Sequence, residues 1–310
     1  MPQAGAEMRT RHGVILLYAR DINQKVSQLF DLPQVIWSCW LAGLLGLLIG
    51  SFLNVVIHRL PLMLERRWAL ECAELTGQII APQPALNLSK PRSRCPACNT
   101  TLRWQQNIPL LSYLLLRGRC AHCHAPISWR YPLVELLTGL LFASVVARHG
   151  DGLAGLAGCG LAATLVALAF IDWDTTLLPD DITLPLLWAG LVAAGLGWNP
   201  VTLTDAFWGA VAGYLSLWSV YWAFKFATGK EGMGYGDFKL LAALGAWFGW
   251  QALIPMVLLA SLSGALAGIV LKWRGGLREG GYIPFGPFLA LGGLWVLLFG
   301  SDSFLQWIKL

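Results

Sequence analysis

Apolar residues run along this chain in blocks of membrane length, separated by short polar turns and one long polar segment. Val35 to Val56, Gly152 to Ile171 and Ala252 to Leu271 each approach the roughly 20 residues that carry an α-helix across a bilayer. Continuing the pattern predicts eight helices, at about 35–57, 132–148, 152–171, 182–197, 204–224, 240–250, 252–271 and 284–300. The sixth is the shortest. Pro132 suits the first turn of the second helix, where its missing N–H has no partner to lose. The turn His149-Gly150-Asp151 closes the hairpin to the third. The fold class expected is an all-α polytopic membrane protein with a polar loop domain between the first two helices.

Composition agrees with that reading. The chain of 310 residues is 56% hydrophobic and 13% charged, against about 25% charged for soluble domains. Its 34 glycines suit close helix–helix approach in lipid, where small residues let backbones pack. The first apolar run is too long for the core of a signal peptide and lacks a small-residue cleavage site, so it reads as a retained helix. Residues 1–30 are mixed and polar, with Arg9, Arg11, Arg20 and Lys25; they read either as an extension or as sequence ahead of a start at Met8.

Charge then orients the chain. Between Arg59 and Tyr131 there are ten Lys/Arg and three Asp/Glu, a local excess of +7, which leaves −2 for the rest of a chain of net charge +5. Basic loops stay on the cytoplasmic side, so this segment is expected inside, with the loops 172–181, 225–239 and 272–281. Topology accounts for the excess without a nucleic-acid partner.

The polar segment contains Cys95-Pro96-Ala97-Cys98 and, 21 residues later, Cys120-Ala121-His122-Cys123. Two such knuckles can place four thiolates tetrahedrally around Zn²⁺, although the gap slightly exceeds the usual 15–20. A cytoplasmic loop disfavours disulfides, and two CxxC pairs exceed what one redox motif requires. Cys95, Cys98, Cys120 and Cys123 are therefore the expected ligands of a structural zinc, with His122 and His124 as substitutes. Cys39, Cys72 and Cys159 read as packing residues.

The remaining chemistry lies in aspartates beside the apolar runs. Asp172 falls at the end of the third helix and Asp237 in Gly234-Tyr235-Gly236-Asp237, at the same face of the bilayer. Ionisable residues at such depths are costly and mark function. Two carboxylates that meet can share a proton, one acting as base towards water and the other as acid towards a peptide carbonyl. The competing reading is a helix-end acid and a loop acid that never approach. Asp180 and Asp181, placed just ahead of the fourth helix, read as N-cap acids that favour its dipole, and Asp174 as a supporting or solvated acid. Glu135, early in the second helix, either binds an ammonium group or cofactor or caps a helix. The glycine-rich loop lacks the spacing of a phosphate cradle.

These residues resemble a known family, the bacterial type IV prepilin leader peptidase/N-methyltransferases of pilus and type II secretion systems. The likeness spans about 33–300: the run Gly50 to Pro61, both cysteine knuckles, Asn107-Ile108-Pro109, Arg130 to Glu135, Asp172 to Asp180, Gly234 to Lys239 and Pro284-Phe285-Gly286-Pro287. The Gly-x-Gly-Asp element is also similar to that of presenilin-type intramembrane proteases. The resemblance implies catalytic Asp172 and Asp237, and zinc on Cys95, Cys98, Cys120 and Cys123. It implies cleavage of a short basic leader from prepilins or pseudopilins after a glycine. Methylation of the new N-terminal residue by S-adenosylmethionine would follow, in an inner-membrane protein whose cytoplasmic loop domain the resemblance makes the seat of methyl transfer. It divides the chain into an extension (1–32), a first transmembrane helix (33–58), a cytoplasmic zinc-binding domain (59–131) and a transmembrane aspartic peptidase domain (132–310). Residues 1–30 depart from the family pattern. The alternatives are a membrane aspartic peptidase of other substrates without methyl transfer, and a non-enzymatic assembly or transport protein whose acids relay ions.

Overall fold

The computed structural model describes residues 35–78, 84–275 and 282–303, and the backbone of the first helix from residue 3. The expected extension (1–32) and the basic residue Arg278 lie outside the side chains described. Nine α-helices follow one another among the described residues: α1 (Gln3–Thr76), α2 (Leu111–Leu115), α3 (Arg130–His149), α4 (Leu153–Thr175), α5 (Asp180–Gly195), α6 (Leu203–Thr228), α7 (Tyr235–Phe248), α8 (Leu253–Trp273) and α9 (Gly286–Phe299). There is no strand among them, only two isolated bridges in the polar loop.

Eight of these helices stand at the eight predicted places, the additional one being short α2. Among the described residues, four segments are long and apolar enough to cross a membrane: Val35–Thr76, Arg130–His149, Leu153–Thr175 and Trp250–Trp273. The protein is a multi-pass membrane protein. The outer face of α1 shows what lipid would cover, with Trp37, Trp40, Leu41, Leu44 and Leu48 all exposed at helical spacing.

The inner face of α1 is held to α3 by small residues. A Cβ on Gly46 would fall 2.7 Å from the Thr138 carbonyl oxygen, and one on Gly50 2.7 Å from the Glu135 Cα, so neither position has room for a side chain. The same device joins α6 to α7: Gly209 and Gly245 face each other backbone to backbone.

At the centre lies α7. Its residues from Phe238 to Trp247 are buried except Lys239, as expected of a helix that is apolar on every side. With 14 residues it is about 21 Å long, short of a hydrocarbon core of roughly 30 Å. It packs against α5, α6, α8 and α9. The least accessible side chains, among them Val134, Val145, Leu165, Ile171, Phe238, Leu244, Met256 and Leu289, come from α3, α4, α7, α8 and α9.

One boundary differs from expectation. The first helix does not stop near residue 57 but continues to Thr76 through a segment rich in charge. Ile57, Pro61 and Leu64 remain buried along one side while Glu65 and Arg67 face out, so an amphipathic stripe extends the helix. The polar loop folds back on it: Arg59 donates to the carbonyls of Asn87 and Leu88 at 2.9 and 3.3 Å, and Arg66 to that of Pro84 at 3.1 Å.

Candidate active site

Asp172 lies in the last turn of α4. The helix stops because Thr176 turns left-handed (φ 56°) and returns its N–H to the Asp172 carbonyl. Leu177, Leu178 and Pro179 then lead into α5, so the Asp172 side chain is fixed at a helix end facing the adjoining loop. Asp237 lies in the first turn of α7, where its N–H bonds the Gly234 carbonyl at 3.3 Å. The positive end of the helix dipole favours a carboxylate there.

The two side chains are 4% and 7% exposed, and both line one cavity of about 420 Å³. Asp237 Oδ1 is buried with no hydrogen-bond partner among the described residues. A buried carboxylate oxygen left in that state is costly and marks a place where a reactant belongs. The competing reading, two acids that never approach, does not describe this geometry.

The other acids have cationic partners. Asp180 accepts from Lys239 Nζ with both oxygens at 2.7 Å, a bond between the first turns of α5 and α7. Asp174 pairs with Arg130 at 2.6 Å, whose guanidinium also lies 5.0 Å over the Phe170 ring. Asp181 stands 3.6 Å from Arg67. Asp180 and Asp181 do not cap α5 as expected: Pro179 is its N-cap, and both acids lie inside its first turn, where the helix dipole still favours them.

Two parts of the site were not anticipated. Leu64, Arg67 and Trp68, on the extended end of α1, form one wall of the cavity. The apolar spacing Ile57–Pro61–Leu64 was the available signal. The second is Gly286, at the start of α9, whose Cβ would fall 2.5 Å from Asp172 Oδ2. The backbone of the Pro-Phe-Gly-Pro turn therefore packs directly on that carboxylate.

In the polar loop the two knuckles are built alike. Cys95 N–H bonds the Thr100 carbonyl and Asn99 N–H the Cys95 carbonyl; Cys120 and His124 repeat the pattern with Ala125. Asn99 and His124 supply matching left-handed turns (φ 56° and 57°). The four Sγ atoms lie within 4.8 Å of one another, and Cys95 and Cys123 are 3.8 Å apart. A tetrahedron with Zn–S of about 2.3 Å has edges of about 3.8 Å, so the cluster can hold a metal of that size. Hydrogen bonds from the Thr100 hydroxyl and N–H pull the Cys98 thiol down to about 6. The N–H groups of Cys123 and His122 lower that of Cys120. Both effects favour the ligating thiolate. Cys39, Cys72 and Cys159 stand outside this group.

Glu135 serves the loop rather than the cavity. It is buried, contacts Ser51 on α1, and accepts the Leu110 N–H at 2.8 Å. The bond reaches the residue that opens α2, and Glu135, the sixth residue of α3, does not cap its own helix.

Residues 44–149 match the family model of the bacterial peptidase A24 N-terminal domain, and residues 159–269 that of the type IV leader peptidase family. The chain is 53% identical to the prepilin leader peptidase/N-methyltransferase of Burkholderia pseudomallei (strain 1026b), over 85% of this chain and 86% of that protein. It is 56% identical to the protein of the same name from Aeromonas hydrophila, over 86% and 92%. For the Pseudomonas aeruginosa relative the figure is 54%, over 84% and 89%. No solved structure matches the chain significantly. The two halves of the match account for both the cysteine loop and the cavity with its aspartates, and the chain belongs to the type IV leader peptidase family.

Proposed function

We propose that this protein cleaves the leader peptide of type IV prepilins and pseudopilins, and then methylates the amine so exposed. The observation that carries the peptidase half is the meeting of Asp172 and Asp237 in one cavity at the ends of α4 and α7. With one proton between them, the ionised carboxylate takes a proton from water as the water attacks the scissile carbonyl. The protonated one hydrogen-bonds the oxygen that gains charge. The tetrahedral intermediate then collapses with proton transfer to the leaving amine. Methyl transfer is supported by the name shared by the relatives, with S-adenosylmethionine as co-substrate.

In this reading all eight long helices cross or enter the bacterial inner membrane, and the basic loop faces the cytoplasm with the cavity at the same face. The charge excess between Arg59 and Tyr131 supports that orientation. A membrane-inserted substrate then meets the aspartates where its helix leaves the lipid, and cleavage requires no unwinding at the bilayer centre. Zinc on Cys95, Cys98, Cys120 and Cys123 fixes the two knuckles. The domain limits 33–58, 59–131 and 132–310 separate the loop that zinc folds from the helices that hold the cavity, although α1 runs through the first limit.

Purified protein with a prepilin and labelled methyl donor tests both halves. Asp172→Asn and Asp237→Asn should each abolish cleavage while pre-cleaved pilin is still methylated. Normal cleavage by either folded variant would remove that aspartate from the mechanism.

A further inference from the structure

The short helix α2 carries an apolar face that no other described residue covers. Leu111, Leu114 and Leu115 stand at the i, i+3, i+4 spacing that groups side chains on one side of a helix, and Leu114 and Leu115 are 70% and 73% exposed. Trp104 before the helix and Trp129 after it are 73% and 69% exposed. Apolar side chains of this size, gathered within one loop, mark a surface that is not left to water.

Position, continuity and chemistry identify what covers it. Leu110, the residue that opens α2, is hydrogen-bonded to Glu135, the sixth residue of membrane-length α3. The helix is thereby tied within about two turns of the end of α3. The Asn54 amide donates to the Tyr131 carbonyl at 3.1 Å and fixes that same end to α1. Beyond Trp129, the exposed residues Leu133, Leu136 and Leu140 continue along α3 as a surface that only acyl chains can cover in a multi-pass membrane protein. Arg117 and Arg119 follow the leucines directly and are exposed. Leucines on one face of a helix, tryptophans before and after it and arginines directly following it are the residues of a helix that lies in the interface of an anionic bilayer.

We infer that α2, with Trp104 and Trp129, is a membrane-interface anchor that inserts its leucines among the lipids beside α3 and holds the four-cysteine loop against the bilayer surface. The inference does not depend on which residues are catalytic.

The full-length chain in nanodiscs of phosphatidylethanolamine and phosphatidylglycerol provides the test. An environment-sensitive fluorescent amino acid is placed at 114, with position 136 as the lipid reference and position 74 as the water reference. The probe at 114 should show blue-shifted emission, quenching by nitroxide carried near the lipid headgroups, and loss of quenching by iodide, as at 136. Iodide quenching equal to that at 74, without quenching from the lipid, would overturn the inference. So would protection that develops only when a prepilin is added, since the face would then dock protein. The exposed site admits the probe without disturbing the core, and retained cleavage activity verifies the fold.

Discussion

Asp172 is held by what does not stand beside it. A Cβ on Gly286 would fall 2.5 Å from its Oδ2 and 3.1 Å from its carboxyl carbon, so any side chain there must push the carboxylate away. Gly286→Ala should therefore lower kcat for cleavage by about 10²-fold, the usual consequence of misplacing a reacting group by an ångström. Methylation of pre-cleaved pilin should be unchanged, and assaying the two reactions separately checks this. Lys239 acts through a bond. Its pair with Asp180 joins the first turns of α5 and α7, two residues from Asp237, yet the two side chains remain 29% and 51% exposed. Solvent screening limits such a pair to about 1 kcal/mol. Lys239→Ala should cut cleavage no more than about fivefold, and Tm should move by a few degrees at most. The reversed pair, Lys239→Asp with Asp180→Lys, should recover part of the loss. The aspartates themselves were legible in the sequence, because carboxylates beside membrane-length runs are rare. The ion pair beside them was not: Arg130 and Asp174 are 44 positions apart, and no local pattern announces a pair of that separation.

Helices were legible wherever hydrophobicity alone defined them. All eight predicted runs are helical, and in the four long enough to cross a membrane the backbone must satisfy its own hydrogen bonds. Reading by hydrophobic block failed where the block ended and periodicity continued, as in the extension of α1 past Ile57. It also missed α2, which at five residues is shorter than any window that reports a period. The crossing of α6 and α7 depends on a feature that hydropathy does not record. Gly209 and Gly245 meet through their backbones, so a larger residue at either position separates the helices. Because α7 is buried on nearly all sides, it has nowhere to shift. Gly245→Leu should destabilise the protein by about 1–3 kcal/mol or more, the cost of overpacking a filled core. Thermal unfolding in nanodiscs should show a lowered Tm, and cleavage should fall as Asp237 moves with its helix. An unchanged Tm would mean that the two helices are not in backbone contact.

At the scale of the whole molecule, two structures held by different forces share one chain. The helical bundle is stabilised by burial and by close backbone packing. The loop, rich in charge and turns, has few buried apolar residues of its own and relies on the cysteine knuckles. Bonds between the two are few among the described residues, chiefly Glu135 to Leu110, Arg59 to the carbonyls of Asn87 and Leu88, and Arg66 to that of Pro84. The cavity is lined by α1, the α4–α5 turn and the start of α7, with nothing from residues 84–128. Loss of the metal should therefore separate the two activities. Cys95→Ser removes a buried thiolate from a site whose ligands are mutually in reach. A structural metal supplies folding free energy directly, on the order of 10 kcal/mol in small zinc modules, so the loop should lose its order while the bundle persists. The expected result is a protein whose zinc content falls from about one per chain to near zero. It should retain most of its prepilin cleavage and lose methyl transfer to pre-cleaved pilin. Metal analysis, hydrogen exchange over residues 84–128 and the two separate assays measure this together. Retained methylation without metal would place that reaction in the helices instead.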